Sequence, residues 1–265
     1  MAYSILCSDL DGTLLTTKDN VSEVTIKEIE RIKDRTKVIL VSARMPKSMV
    51  YLQERLAITS EPIICYNGAL VLDGDRVIDS TIIPMDVVNA IYTLADELEV
   101  ALGLYFKDEW YVEKDSERVQ KEIRYTHATP TFKHTKETIL TWETEQKGAH
   151  KIMLMGTKES ADALYPILEA QLGKEVLLYR SNDTLIEIAP STVSKLSAIS
   201  LLLQEEESLE KVIAFGDNYN DIEMLKHVGC GVAVGNAREE VKAIANYIAL
   251  PNTEDGVAQF IREHM

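Results

Sequence analysis

Short, continuous apolar runs alternate with amphipathic stretches over the first part of the chain. Ile5-Leu6-Cys7 predicts a buried strand. From Ser22, a candidate N-cap, to about Arg35 the apolar positions Ile26, Ile29 and Ile32 recur at helical spacing. Lys37 to Val41 predicts a second buried strand, and Pro46 fits the first turn of a helix carrying Met49, Leu52 and Leu56. Pro62 to Tyr66 is a third strand, ending in Asn67-Gly68-Ala69. Strands alternating with helices in this way predict a parallel sheet with covering helices, an α/β fold.

From about Ile82 the pattern changes. Asp86 caps a predicted helix through Val87, Val88, Ile91, Leu94, Ala95 and Leu98. Val100 to Phe106 and Glu109 to Glu113 read as a strand pair turning at Lys107-Asp108. Ser116 to about Thr126 predicts a short amphipathic helix, whereas Thr129 to Gly148 is polar and shows no clear period. Lys151 to Met155 is a strand, and Ser160 to Leu172 a helix stopped by Gly173 despite Pro166 inside it. Val176 to Tyr179 and Thr184 to Ile188 are two further strands. This reads as an α+β unit inserted into the parallel-sheet domain.

Pro190 marks the return to the first pattern. Ser194 to Gln204 predicts a helix with Lys195 in its first turn. Lys211 to Phe215 is a fourth buried strand, followed by Gly216-Asp217-Asn218-Tyr219-Asn220-Asp221 and a helix with Ile222, Met224 and Leu225. Gly231 to Val234 is a strand, Glu239 to Asn246 a helix, Tyr247 to Leu250 a short strand, and Gly256 to His264 a last helix.

The composition, 46% hydrophobic and 27% charged over 265 residues, is that of a water-soluble globular chain. The excess of 43 acidic over 28 basic residues gives a formal charge of −15. Nucleic acid is repelled by such a surface and is excluded as an expected partner. An anionic substrate would need local cations to offset the field. Cys7, Cys65 and Cys230 are odd in number, far apart and set among apolar neighbours, so buried thiols are expected rather than a disulfide or a zinc site. No signal-peptide pattern and no membrane-spanning stretch are visible, so the expected compartment is cytoplasmic and no membrane partner is expected.

The polar residues at the predicted strand ends carry the chemistry. Asp9 and Asp11 follow the first strand, Ser42 the second and Asn67 the third. Asp217, Asn220 and Asp221 follow the fourth, and Lys195 opens a helix. Ligands of parallel sheets bind beyond the carboxyl ends of the strands, where these residues converge. Several carboxylates, a hydroxyl and an ammonium suit a Mg²⁺-dependent phosphoryl-transfer site. There a carboxylate nucleophile divides one difficult displacement into two easier ones, and a second carboxyl protonates the leaving oxygen and then activates water. Each residue also has an ordinary alternative. Asp9, Asp11 and Gly12 are common turn residues, Ser42 suits a turn or cap, Asp221 suits a helix cap, and Lys195 suits a helix surface.

Asp9-Leu10-Asp11-Gly12-Thr13 resembles the first motif of the haloacid dehalogenase-like phosphotransferase superfamily. Gly216-Asp217-Asn218-Tyr219-Asn220-Asp221, with Met224-Leu225, resembles its last motif in the form typical of Cof-type hydrolases. Asn67-Gly68-Ala69 and Pro190 to Lys195 also match that subfamily, and the resemblance covers essentially the whole chain in the right order. It implies a Rossmann-like core, residues 1–82 and 189–265, with an inserted α+β cap of the second class (C2B type) over 83–188. It implies Asp9 as nucleophile and metal ligand, and Asp11 as acid/base with its backbone carbonyl on the metal. Asp217 would be a metal ligand, and Asp221 would support the metal or its waters. Ser42 and Lys195 would bind the transferring phosphoryl group, with Asn220 supporting that site and Asn67 near it. The implied cofactor is Mg²⁺. The implied activity is hydrolysis of a small-molecule phosphate ester by a monomer or small homo-oligomer. A sugar phosphate is the first expected substrate, and flavin mononucleotide or pyridoxal phosphate the next. A phosphomutase on the same core and a catalytically silent binding protein are the alternatives.

The chain departs from the family pattern at Ser42-Ala43-Arg44, where Thr-Gly-Arg is usual, and at Leu196 and Thr192, where glycine is common. Serine keeps the hydroxyl but rotates more freely than β-branched threonine. Arg44 is expected either to be structural or to touch substrate. Arg180 and Asn182, on a predicted loop between strands of the insertion, are placed among candidate substrate contacts by position and polarity alone. His127, His134, His150, His227 and His264 show no ligand spacing.

Overall fold

The computed structural model describes residues 3–17 and 19–265. The first apolar run forms β1 (Ile5–Ser8), buried along its whole length. After a tight turn Ser22 caps α1 (Glu23–Ile32), its side chain accepting the Thr25 N–H at 3.0 Å. β2 (Lys37–Val41), α2 (Lys47–Leu56) and β3 (Ile63–Cys65) continue the alternation, with Pro46 at the N-cap of α2. β4 (Leu70–Asp73) and β5 (Arg76–Ser80) follow, joined across Gly74, which takes a φ of +56°. The helix-and-strand pattern read above passes over this pair, although Asp73-Gly74 is a strong turn signal.

The next stretch comprises α3 (Met85–Asp96), β6 (Ala101–Phe106), β7 (Glu109–Val112), α4 (Glu117–Thr126), β8 (Thr131–Phe132) and α5 (Thr135–Thr144). β9 (Lys151–Met155), α6 (Lys158–Leu172), β10 (Val176–Asn182) and β11 (Leu185–Pro190) complete it. The chain then runs through α7 (Lys195–Leu201), β12 (Val212–Gly216), α8 (Ile222–His227), β13 (Cys230–Ala233), α9 (Glu239–Ile244), β14 (Tyr247–Ile248) and α10 (Gly256–His264).

The chain divides into two compact units, Met1–Asp79 with Ser194–Met265, and Ser80–Val193. The first holds the eight-stranded sheet in the order β14-β13-β12-β1-β2-β3-β4-β5. β1 is parallel to both β2 and β12, so Cys7 stands between Ile39 and Ala214. β2 pairs with β3, and β12 with β13, in parallel; β4 runs antiparallel to β3. Strand order therefore winds outward from β1 on one side and resumes beside β1 on the other. Such a reversal leaves a crevice at the carboxyl ends of the two central strands, here β1 and β12. α1 packs on α2 and α10, and α7 and α9 pack on α8.

The second unit holds a six-stranded sheet in the order β10-β11-β9-β6-β7-β8. It is antiparallel apart from the β7–β8 pair. α3 packs on α5 and α6, and these helices bury Val87, Ile91, Trp142 and Leu164 in one cluster with Leu104, Ile152 and Ile188 of the sheet. The parallel core with an α+β insertion agrees with the pattern of the sequence. Within the insertion, α5 lies in the stretch that shows no period. Its buried face is Thr135, Thr138, Ile139 and Trp142, and the two threonines conceal a helical spacing that apolar residues alone would have displayed. Among the described residues no helix is long and apolar enough to cross a membrane.

Candidate active site

β1 delivers Asp9 to the crevice. The Asp9 N–H donates to the Phe215 carbonyl at 3.0 Å, continuing the β1–β12 ladder by one residue. The chain then folds back sharply: Leu14 N–H reaches the Asp9 carbonyl at 3.2 Å and Leu15 N–H the Leu10 carbonyl at 3.0 Å. Gly12 makes this turn with a φ of +88°, a conformation that a β-carbon disfavours. Thr13, inside the turn, donates its hydroxyl to Asp217 Oδ1 at 3.3 Å.

β12 delivers the opposing acids. Asp221 is fully buried, and its Oδ2 accepts the N–H groups of Asp217 at 2.9 Å and Asn218 at 3.0 Å. Ser194 and Ser197 form a reciprocal capping box at the start of α7, which fixes Lys195 in its first turn. The Lys195 ammonium donates to Asp9 Oδ1 at 2.5 Å and Asp221 Oδ1 at 2.6 Å. Burial works against its charge, but Asp221 and Asp9 outweigh burial and raise its pKa above the ordinary lysine value.

Oxygens of Asp9, Asp217 and Asp221 lie within 4.8 Å of one another. Burial pushes the Asp9 carboxyl well above the usual carboxylate range; Lys195 opposes the shift, and Asp221 and Asp217 reinforce it. Asp217 is pushed up to about 7 by burial and then by Asp221. Among the described residues, the Lys195 ammonium is bonded to two of these three carboxylates, so one positive charge there faces three acids. Oxygen donors at this spacing fit a hard divalent cation. The Asp11 side chain is not in this cluster; it is half exposed and bound to Arg44.

Ser42 is buried at the end of β2, donates its N–H to the Ile64 carbonyl at 2.9 Å and accepts the Arg44 N–H on Oγ at 3.2 Å. The turn after β3 is strained: Tyr66 and Asn67 both take left-handed φ values, 52° and 57°, ahead of Gly68 at 107°. Asn67 N–H holds the Ser42 carbonyl at 2.9 Å, and Asn67 Oδ1 accepts the Asn220 amide at 3.0 Å. A β-carbon on Gly68 would stand 2.4 Å from the Ser194 carbonyl oxygen, so this turn lies against the start of α7. Asp9, Ser42, Asn67, Lys195, Asp217, Asn220 and Asp221 are therefore tied together in the first unit.

Arg44 is held by other residues of the first unit. Its fork is buried and bonded to both Asp11 oxygens, Nε to Oδ2 at 2.8 Å and Nη2 to Oδ1 at 2.7 Å. Arg180 and Asn182 lie in the second unit, at the β10–β11 turn. Arg180 bonds Asp162 at 2.8 Å and the Asn182 and Asp183 carbonyls, and Asn182 Oδ1 accepts the Thr184 N–H at 2.9 Å. Their contacts shape their own hairpin. Thr13, Ser48 and Tyr51 received no role from the sequence. Ser48 and Tyr51 stand on the first turns of α2, whereas Arg44 precedes that helix, so no helical spacing pairs them with it.

A family model described as haloacid dehalogenase-like hydrolase matches residues 6–261. The chain belongs to the haloacid dehalogenase-like hydrolases. The resemblance carried by the two acidic motifs is thus borne out, and the protein is an enzyme of that hydrolase family. Among its relatives is the 5-amino-6-(5-phospho-D-ribitylamino)uracil phosphatase YitU of Bacillus subtilis (strain 168). It is 30% identical over 271 residues that cover 98% of this chain and 97% of that one. The pyridoxal phosphate phosphatase YbhA of Escherichia coli (strain K12) is 30% identical over the full length of both chains, 100% and 100%. Among solved structures, a haloacid dehalogenase-like hydrolase from Bacteroides thetaiotaomicron superposes with a TM-score of 0.89 at 29% identity, covering 99% of this chain and 100% of that one.

Proposed function

We propose that the protein is a Mg²⁺-dependent phosphatase that hydrolyses a small phosphorylated metabolite through a phosphoryl group carried on Asp9. The observation that carries this reading is the meeting of Asp9 with the Lys195 ammonium and with Asp217 and Asp221 after β12, with a second carboxyl two residues on. In the first step an Asp9 oxygen attacks phosphorus, the ester P–O bond breaks, and Asp11 gives its proton to the leaving alcohol oxygen. In the second step water attacks phosphorus, Asp11 takes the water proton, and the bond to Asp9 breaks to release inorganic phosphate. Lys195 and the Ser42 hydroxyl hold the phosphoryl oxygens, and Asn220 with Asn67 supports them. Mg²⁺ would be held by Asp9, Asp217 and the Asp11 backbone carbonyl, with Asp221 in support. Its charge would allow an anionic nucleophile to approach an anionic ester.

A sugar-like phosphate monoester is the first proposed substrate. The phosphoribityl compound and pyridoxal phosphate named for the two relatives support the monoester class. The inserted unit is assigned to a cap that selects the leaving group.

The test is phosphate release from a panel of sugar phosphates, nucleotides, flavin mononucleotide and pyridoxal phosphate, with and without Mg²⁺. Wild type should release phosphate only with the metal, and Asp9→Asn should abolish release while keeping the fold. Full activity in Asp9→Asn would sink the nucleophile assignment. A folded, Mg²⁺-binding wild type that releases nothing, but converts a sugar monophosphate when given a bisphosphate activator, would point to the phosphomutase instead.

A further inference from the structure

We infer that Arg44 is the positioning residue of Asp11 and serves proton delivery to the leaving group, not substrate binding; this rests on the acid/base reading of Asp11 above. The two side chains are unequal partners. The Arg44 side chain is 4% exposed and that of Asp11 51%. Arg44 is fixed at both ends. Its N–H bonds Ser42 Oγ at 3.2 Å, and its carbonyl accepts the Tyr66 N–H at 3.1 Å. At the far end, Nη1 donates to the Tyr51 hydroxyl at 3.2 Å and to the Ser48 carbonyl at 3.5 Å. Tyr51 in turn donates to the Asp19 carbonyl at 2.7 Å. The guanidinium is thus a rigid plate on the first turns of α2, and Asp11 is the movable member of the pair.

Two parallel N–H···O bonds set both the position and the plane of a carboxylate. A half-exposed aspartate beside a left-handed glycine would otherwise sample several rotamers. Proton transfer depends steeply on such alignment. Each oxygen of Asp11 receives one arm of the fork, which leaves the far side of one oxygen to carry the proton given to the leaving ester oxygen and, once that proton is gone, to accept the proton of water. A lysine offers a point charge on a flexible stem and cannot fix the plane. Nε, Nη1 and Nη2 each already have a protein partner, which is the arrangement of a support and not of a phosphate clamp.

An ester with a poor leaving group needs the Asp11 proton as the P–O bond breaks. A nitrophenyl ester does not, because nitrophenolate leaves as a stable anion. The experiment measures single-turnover leaving-group release from ribose 5-phosphate and from p-nitrophenyl phosphate, in Mg²⁺, for wild type, Asp11→Asn, Arg44→Gln, Arg44→Lys and Tyr51→Phe. Arg44→Gln and Arg44→Lys are expected to slow release from the alkyl ester about 100-fold and from the aryl ester less than about fivefold, the pattern of a lost general acid. Tyr51→Phe, which keeps the fork and loosens its anchor, should show the same selectivity at about fivefold on the alkyl ester. In a further variant, Arg44→Ala, which leaves room for the missing group, millimolar guanidinium should partly restore release from the alkyl ester.

Equal losses on both esters in the Arg44 and Tyr51 variants, with a selective loss in Asp11→Asn, would overturn the inference and leave the acid/base reading standing. Equal losses in Asp11→Asn itself would overturn that reading. If an Arg44 variant fails to fold, Tyr51→Phe decides by the same ratio.

Discussion

Gly12 and Asp217 approach so closely that a β-carbon on Gly12 would stand 2.6 Å from Asp217 Oδ2. The contact joins the turn after β1 to the end of β12 across the crevice. Gly12→Ala must displace the Asp217 carboxylate and adopt a φ of +88° with a side chain. The variant is expected to lose about 1–3 kcal/mol of stability. It should also bind Mg²⁺ at least about tenfold more weakly, because the neighbour of a ligand sets its orientation. Denaturant melts and calorimetric Mg²⁺ titration check both. Unchanged affinity would mean that Asp217 does not hold the metal.

Lys195 is the counter-charge of two buried carboxylates, Asp9 and Asp221. Lys195→Met removes it and keeps most of the side-chain volume. Breaking a buried ion pair from one side costs about 3–5 kcal/mol, because the remaining charges are left uncompensated. That loss is expected in metal-free protein, with a smaller one in saturating Mg²⁺. Equal destabilisation with and without the metal would argue that the cation and Lys195 do not share the same carboxylates.

His150 makes the second unit sensitive to acid. Its Nδ1 accepts the Lys107 N–H at 3.2 Å, and Nε2 lies 3.0 Å from Ser80 Oγ, so the fold uses the neutral ring with its proton on Nε2. Burial, and then Lys107, lower its pKa from 6.5 to about 4. Between those values the unfolded chain binds a proton that the folded one does not, so stability falls as pH falls. The difference amounts to about 3 kcal/mol, fully present above pH 6.5 and lost progressively toward pH 4. Carboxylates add their own acid sensitivity. The measurement is therefore the difference between wild type and His150→Gln, which should shift steadily in favour of the variant as pH drops through that window. Parallel stability profiles would refute a neutral His150.

The parallel core was legible because strands buried on both faces are continuous apolar runs, as in Ile5-Leu6-Cys7 and Val212-Ile213-Ala214. The acids were legible because Asp9 and Asp217 interrupt those runs at the same end of adjacent strands. The Arg44–Asp11 pair was not. Its partners are 33 residues apart, and only the direction of the side chains brings them together. Arg180 and Asn182 show the converse. Polarity on a loop drew attention to them, but it could not show the local hydrogen bonds that they make at the turn or the Arg180–Asp162 bond to α6. The α5 helix was hidden by threonines on its buried face, where apolar periodicity gives no signal.

The central position of β1 between β2 and β12 orders events during synthesis. Asp9 leaves the ribosome long before Lys195 and Asp221, the charged groups that act most strongly on its carboxyl. The second unit, contiguous in sequence, has all six of its strands before either appears. A nascent chain that has reached Val193 therefore holds all six strands of the insertion and five of the eight strands of the parallel-core sheet, with β1 still an open edge. The acidic cluster is complete only once Asp221 has been made, and a chain released before that residue would lack it.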